Sequence, residues 1–383
     1  MKRRLIYLIA ALLCLFAFVL GGCAPKGKDK TENEPPVSET ENEPSAPQTE
    51  YVEDREVVSA EQINSFSEEY VRLLGRTFTA SKQLCLANAG TGVEVAFYGT
   101  ELKANVSPKP APMALIVLMD GEAEGKRVSI KSGRVYTLAS GLAEGIHTAR
   151  IVKATSSQNG QVNLGDFETD GKFLRVEEKS PLSIEFVGDS ITVGAGILAS
   201  SASEACADGN TDATKAYAYR TAHALGADYS LVATEGICVK AKSALPRNML
   251  EMYETLSSTH MGAYKFTKAH DVVVLALGTN DAWYMAGHAD YTTETFTADY
   301  LELLTLIRAK NPTAKIVCVY GMMGTSAGVD TGIQNAIASM ADENAHYLAL
   351  PNGGHGAEGH PSADDAASQA EVLTNYLKDL FGI

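Results

Sequence analysis

The sequence predicts two folded domains in tandem: an all-β sandwich over residues 59–179, then an α/β domain over 180–383 whose parallel sheet is covered by helices on both faces. Three observations support this. Between 59 and 179 short apolar runs, several alternating with period two, are separated by turn pairs such as Asp120-Gly121 and Asn159-Gly160, and no helix-length period appears between Gly90 and Asp170. Beyond 180, continuous apolar runs alternate with helical periodicity, as strands buried on both faces do. The chain has 383 residues, 45% of them apolar, enough for two cores.

In chain order, Met1-Lys2-Arg3-Arg4 is a positive segment and 5–20 is apolar but short for a membrane span. Leu20-Gly21-Gly22-Cys23 resembles a bacterial lipobox, so 1–22 is read as a lipoprotein signal peptide. The mature chain is then expected to begin at a lipid-bearing Cys23 and to sit on the extracellular face of the cell membrane. An ordinary cleaved signal is the alternative, and it also sends the protein out of the cytoplasm. Residues 23–58, rich in Lys, Glu, Pro, Ser and Thr, have too little to bury to offset ordering and are expected to be a disordered tether.

Within the sandwich the strands are expected at 93–98, 113–118, 127–130, 135–138, 147–152 and 161–164. In the second domain they are expected at 183–187, 229–233, 272–277, 315–320 and 347–350, with helices over 213–225, 293–310, 331–343 and 364–380. Right-handed crossovers bring the carboxyl ends of such strands to one edge.

Lys+Arg of 32 against Asp+Glu of 47 gives a net charge of −15. That argues against nucleic acid as a partner and favours neutral substrates, leaving the lipid anchor as the one expected membrane contact. Once Cys14 leaves with the signal and Cys23 is lipidated, Cys85, Cys206, Cys238 and Cys318 remain, with no CxxC or His-rich spacing. No motif calls for a metal or an organic cofactor. Cys318 lies in the apolar run 316–320 and reads as a core thiol, whereas Cys206 and Cys238 lie in loops, where a bridge between them stays open.

The chemistry is carried by the loops at the strand ends. The run 182–187 ends in Gly188-Asp189-Ser190, which delivers a serine into a turn at the sheet edge. A serine nucleophile needs a base for its proton and donors for the oxyanion it creates. Thr234-Glu235-Gly236-Ile237 comes after the second apolar run and Gly278-Thr279-Asn280-Asp281 after the third, while Gly359-His360-Pro361 precedes the last helix.

Ser, Gly, Asn and His blocks in this order resemble the SGNH, or GDSL-like, hydrolase superfamily. With a β-sandwich in front, the chain is similar to carbohydrate esterase family 2, acetyl esterases of plant-wall polysaccharides with a jelly-roll N-terminal domain. Gly145-Ile146-His147-Thr148-Ala149-Arg150-Ile151-Val152-Lys153 and the stretch 266–281 also look like that family, and the likeness runs from about Gly75 to the C-terminus. The resemblance implies Ser190 as nucleophile and His360 as base. It implies an oxyanion hole from the backbone N–H groups of Ser190 and Gly236 and the side-chain amide of Asn280.

One position departs from the superfamily, which places an Asp three residues before the histidine; here it is Ala357. Some relatives hold the histidine with a backbone carbonyl, so a Ser-His dyad is expected, with Glu358 as a candidate third member. Asp189 is expected to cap its turn and the helix after it, and Asn280 to act as donor or helix N-cap. Trp283, the only tryptophan, is a candidate platform for a sugar ring, its alternatives being a core or lid residue. His355 reads as a surface loop residue. The sandwich is read as a partner packed on the hydrolase, with walling the cleft or binding glycan as alternatives.

Together these imply an O-acetyl esterase of hemicellulose or its oligosaccharides, working through an acetyl-serine intermediate. The alternatives are a lipase- or thioesterase-like hydrolase of non-carbohydrate acyl esters and a non-catalytic glycan-binding surface lipoprotein.

Overall fold

The computed structural model describes residues 61–176, 180, 182–242 and 245–383. The signal peptide, Cys23 and the tether lie outside the described residues. The N-terminal part is one antiparallel network of ten strands. Its backbone is the pair Gly92–Lys109 and Arg134–Lys153, which run side by side through register shifts between Gly99 and Glu101 and between Leu102 and Lys103. Such bulges bend strands. Before the shift Gly92–Lys109 pairs with Val71–Leu74 and Lys172–Leu174, after it with Gln161–Thr169, and both halves close on a core holding Val95, Phe97, Leu102, Val106 and Phe167.

Two separate strands were expected at 135–138 and 147–152; they are one strand, because Gly141 and Gly145 at its middle do not break it. The strands Gln62–Asn64, Val71–Leu74, Thr77–Ala80, Gln83–Leu86 and Lys172–Leu174 were not anticipated. Each has only three or four residues, too few for an alternating pattern to stand out.

The second part is a five-stranded parallel sheet in the order Asp228–Ala233, Ser183–Gly188, Val272–Ala276, Lys315–Tyr320, Ala345–Ala349. All five strands overlap the expected ones. On one face Ile184, Phe186 and Val274 pack with Tyr217 of the helix Tyr217–Ala224 and Leu373 of the helix Ala363–Phe381. On the other, Val187, Val273 and Leu275 pack with Leu303 of the helix Thr293–Lys310. Cys318 is fully buried in the second core. The helix expected over 213–225 is interrupted, a 3-10 turn at Ala213–Lys215 preceding the helix proper, and the one expected over 331–343 begins earlier, at Ala327.

The sandwich and the sheet share a core, since Leu74, Ile116, Leu118 and Val152 belong to the same apolar cluster as Phe186 and Leu231. A buried ion pair also crosses between them. Arg76 Nη2 lies 2.9 Å from Glu185 Oε1, both side chains fully buried, and Nη1 donates to the carbonyls of Tyr253 and Thr255 at 2.5 and 2.9 Å. Glu185 lies on the same strand as the residues leading to Ser190, so this pair ties the sandwich to the strand that delivers the serine.

Candidate active site

Strand Ser183–Gly188 ends in a turn whose Asp189 side chain accepts the Ile191 N–H at 3.0 Å, capping the short helix Ser190–Val193 as expected. This fixes Ser190 at the carboxyl edge of the sheet, 8% exposed. Ser190 Oγ lies 2.8 Å from His360 Nε2, although 170 residues separate them. His360 Nδ1 hydrogen-bonds the Ala357 carbonyl at 2.9 Å. If Nδ1 carries the proton, it donates to that carbonyl and leaves Nε2 free to accept from Ser190. Burial holds the His360 pKa below its ordinary 6.5, while the Ala357 bond and the Glu358 charge pull it upward. A base that is neutral near pH 7 follows.

Glu358 is not the direct partner of Nδ1, correcting its candidacy as orienter. The turn explains why. The backbone of Glu358 is left-handed, φ 51°, and its N–H is bound by the carbonyls of Ala202 and Glu204 at 3.1 Å each, while the Ala357 carbonyl takes the histidine.

Gly236, on the loop after Asp228–Ala233, has φ +74°, and a Cβ there would meet no atom within 4 Å. Its place therefore suits glycine for conformational reasons, and its backbone is open to the cleft. Asn280 lies in the helix Thr279–Gly287, whose N-cap is Gly278, so the expectation that Asn280 itself caps the helix is corrected. Its Nδ2 donates to Asp189 Oδ2 at 3.2 Å and to the Ile237 carbonyl at 3.1 Å, which aligns the amide between the serine turn and the Gly236 loop. The next residue, Asp281, is fully buried and accepts the Val239 N–H at 3.1 and 3.2 Å. Burial pushes both Asp189 and Asp281 up to about 7, despite the N–H groups they accept. Asp281 anchors the loop carrying Gly236. Sequence did not single it out, because only the fold brings residue 239 to it.

Ser190, Gly236, Asn280, Trp283, Glu358 and His360 border one cleft of about 460 Å³. Trp283 is 76% exposed, which excludes the core alternative and leaves its ring at the cleft rim. His355 is on the surface, its Nδ1 2.8 Å from Asp365 Oδ1. Cys206 carries a thiol, so the bridge to Cys238 that sequence left open is not formed. Cys238 is buried, whereas Cys206 reaches the cleft with its Sγ 3.4 Å from His360 Nδ1.

The sandwich also contributes. Asn159 borders the cleft, and Gln158 Nε2 donates to Thr234 Oγ1 at 2.9 Å and to the Glu235 carbonyl at 2.7 Å, immediately before Gly236. Beneath them the fully buried Lys153 Nζ donates to the carbonyls of Thr155 and Ser156 at 2.5 and 2.8 Å, and burial lowers its pKa to about 7. The sandwich is packed on the hydrolase through a shared core, as expected, and at Asn159 it also walls the cleft. Asn159-Gly160 had signalled only a turn.

Residues 73–176 match the family described as Carbohydrate esterase 2 N-terminal, and residues 186–376 match the GDSL-like Lipase/Acylhydrolase family. The chain is 29% identical over 308 residues to the cellulase/esterase CelE of Acetivibrio thermocellus, 77% of this chain but 37% of that protein's length. It is 27% identical over 317 residues to an acetylxylan esterase/glucomannan deacetylase of Cellvibrio japonicus, 76% of this chain and 84% of that one. Among solved structures, a family two carbohydrate esterase from Clostridium thermocellum in complex with cellohexaose superposes with a TM-score of 0.76 at 27% identity, covering 82% of this chain and 99% of that one.

Proposed function

The chain belongs to the carbohydrate esterases that join a family 2 N-terminal domain to a GDSL-like hydrolase domain, and from that premise we propose that it is a serine O-acetyl esterase of acetylated hemicellulose. The observation that carries the reading is the 2.8 Å contact between Ser190 Oγ and His360 Nε2 in a cleft rimmed by an exposed tryptophan.

In this mechanism Ser190 Oγ attacks the acetyl carbonyl as His360 Nε2 takes its proton. The oxyanion is held by the N–H groups of Ser190 and Gly236 and by Asn280 Nδ2, which turns one N–H from its long bond to Asp189 or Ile237. Collapse breaks the ester C–O bond, and His360 returns the proton to the departing sugar oxygen. Water, deprotonated by His360, then attacks acetyl-Ser190, and collapse breaks the bond to Ser190 Oγ, which takes the proton back from His360 as acetate leaves. The Ala357 carbonyl keeps Nδ1 protonated and stabilises the imidazolium that forms at each step.

The substrate class is supported by the names of the relatives, one an acetylxylan esterase and glucomannan deacetylase, and by the flat exposed face of Trp283, which suits pyranose C–H groups. Export and lipid anchoring at Cys23 are part of the proposal, supported by the lipobox-like Leu20-Gly21-Gly22-Cys23.

Acetate release from acetylated xylan and acetylated glucomannan, by protein lacking the first 23 residues, tests the reading alongside a 4-nitrophenyl ester series. Release from either polymer with acetate preferred over longer acyl chains is expected. Preference for butyrate or longer would move the protein to the lipase-like class, and failure on every ester would make it a glycan-binding protein.

A further inference from the structure

The histidine loop has no carboxylate on Nδ1, yet its surroundings are closely built. Gly196, with φ +65°, lies against both the histidine loop and the loop of Cys206. A Cβ on it would come 2.6 Å from Ala357 Cβ and 2.9 Å from Cys206 Sγ. The Ala357 N–H donates to the Gly196 carbonyl at 3.0 Å, and the Glu358 N–H to the carbonyls of Ala202 and Glu204. Three segments are thus locked by backbone bonds around a single sulfur atom. That sulfur lies 3.4 Å from His360 Nδ1 and 3.7 Å from the Ala357 carbonyl, to which its S–H can donate, and Glu358, which borders the same cleft, is a second acceptor for the thiol. Ala357 stands where the superfamily carries its acid.

We propose that Cys206 is a positioning residue whose thiol links the Glu358 carboxylate to His360 Nδ1, so that Glu358 supports the histidine at one remove. The proposal rests on the serine-esterase reading for its consequence, though not for its geometry. The thiol is neutral: burial, and then the Glu358 charge, push it up to about 11. A neutral thiol offers its S–H to the carboxylate and its lone pairs to Nδ1–H, sharing that proton with the Ala357 carbonyl. When His360 takes the serine proton, the positive charge spreads toward Nδ1, and the polarised thiol with Glu358 behind it stabilises that charge. The other ionisable groups at this point are Glu235, whose charge also acts on the Cys206 thiol, and the buried Asp189 of the Ser190 turn. Both stay unaltered when Glu358 and Cys206 are substituted.

The test compares Glu358→Gln in three backgrounds: unaltered, Cys206→Ala and Cys206→Ser. The acid limb of kcat/KM on 4-nitrophenyl acetate reports the His360 pKa. Glu358→Gln is expected to lower that pKa, and the lowering is expected to shrink to less than half in Cys206→Ala and to return in Cys206→Ser, which keeps a donor and acceptor. Cys206→Ala alone should lower kcat about 2- to 12-fold, the worth of one hydrogen bond, with KM unchanged. A lowering that keeps half or more of its size in Cys206→Ala would make Glu358 a through-space charge and overturn the link, as would no lowering in the unaltered background. Titration of His360 by NMR in a Ser190→Ala background reads the same coupling without turnover. Failure of the esterase reading would abolish the rates and leave that titration intact.

Discussion

Replacing Arg76 with alanine removes the guanidinium paired with Glu185, whose side chain is fully buried on the strand leading to Ser190. Removing one partner of a buried ion pair costs about 3–5 kcal/mol, because the other charge is left uncompensated. The carbonyls of Tyr253 and Thr255 also lose a charged donor, and the Tyr264 ring loses the guanidinium that lies 4.2 Å from its centroid. The upper part of the range, about 4–5 kcal/mol, is therefore expected. At about 2 °C per kcal/mol for a chain of this size, the thermal midpoint should fall by about 8–10 °C. Urea denaturation followed by circular dichroism measures the loss, and the double replacement Arg76→Met with Glu185→Met should recover most of it, since an apolar pair carries no desolvation cost. The effect also depends on pH. Burial pushes Glu185 up, but Arg76, His270 and the Tyr253 hydroxyl together outweigh it and hold its pKa below the ordinary 4.5. The pair's contribution is thus complete above that value and disappears as pH falls through the lowered pKa, so the two proteins should converge in acid. A loss under about 1 kcal/mol, or one independent of pH, would refute the role given to this pair.

Asn280→Ala should reduce kcat about 100- to 1,000-fold with little change in KM, as steady-state kinetics on 4-nitrophenyl acetate would show, because an oxyanion donor acts in the transition state. The acid limb of kcat/KM should have its midpoint below 6.5, since burial disfavours the protonated His360. The same depressed pKa withdraws stability as pH falls below the unfolded-state value, which acid denaturation of His360→Asn would reveal as a smaller loss. Trp283→Ala should raise KM for acetylated oligosaccharides about tenfold, the worth of one stacked ring, while leaving 4-nitrophenyl acetate turnover unchanged.

Sequence made legible the residues that continuous apolar strands deliver. Ser190, Gly236 and Asn280 each come after a run of apolar residues buried on both faces, so their place at one sheet edge followed from topology alone. His360 was legible from its block before an amphipathic helix, but what orients its ring stayed open between a backbone carbonyl and Glu358 until the turn at Ala357 placed its carbonyl on Nδ1. Cys206 was not, because its meeting with His360 joins residues 154 apart through a turn at Gly196 whose fit depends on missing side chains. Asn159-Gly160 read as a turn and no more, and Gln158 before it belongs to no motif. Arg76 and Glu185 lie in no motif; only the packing of one domain on the other, 109 residues away in sequence, makes them partners. The short strands at the sandwich margin escaped because three or four residues carry no readable period.

The most direct measurement is the mass of the Ser190 peptide after rapid mixing with 4-nitrophenyl acetate and acid quench. A serine esterase with an acetyl intermediate predicts one acetyl group on Ser190, formed with a burst of 4-nitrophenol, absent in Ser190→Ala and slow to form in His360→Ala. Steady turnover with no label on Ser190, or an equal rate in Ser190→Ala, would contradict the proposed mechanism.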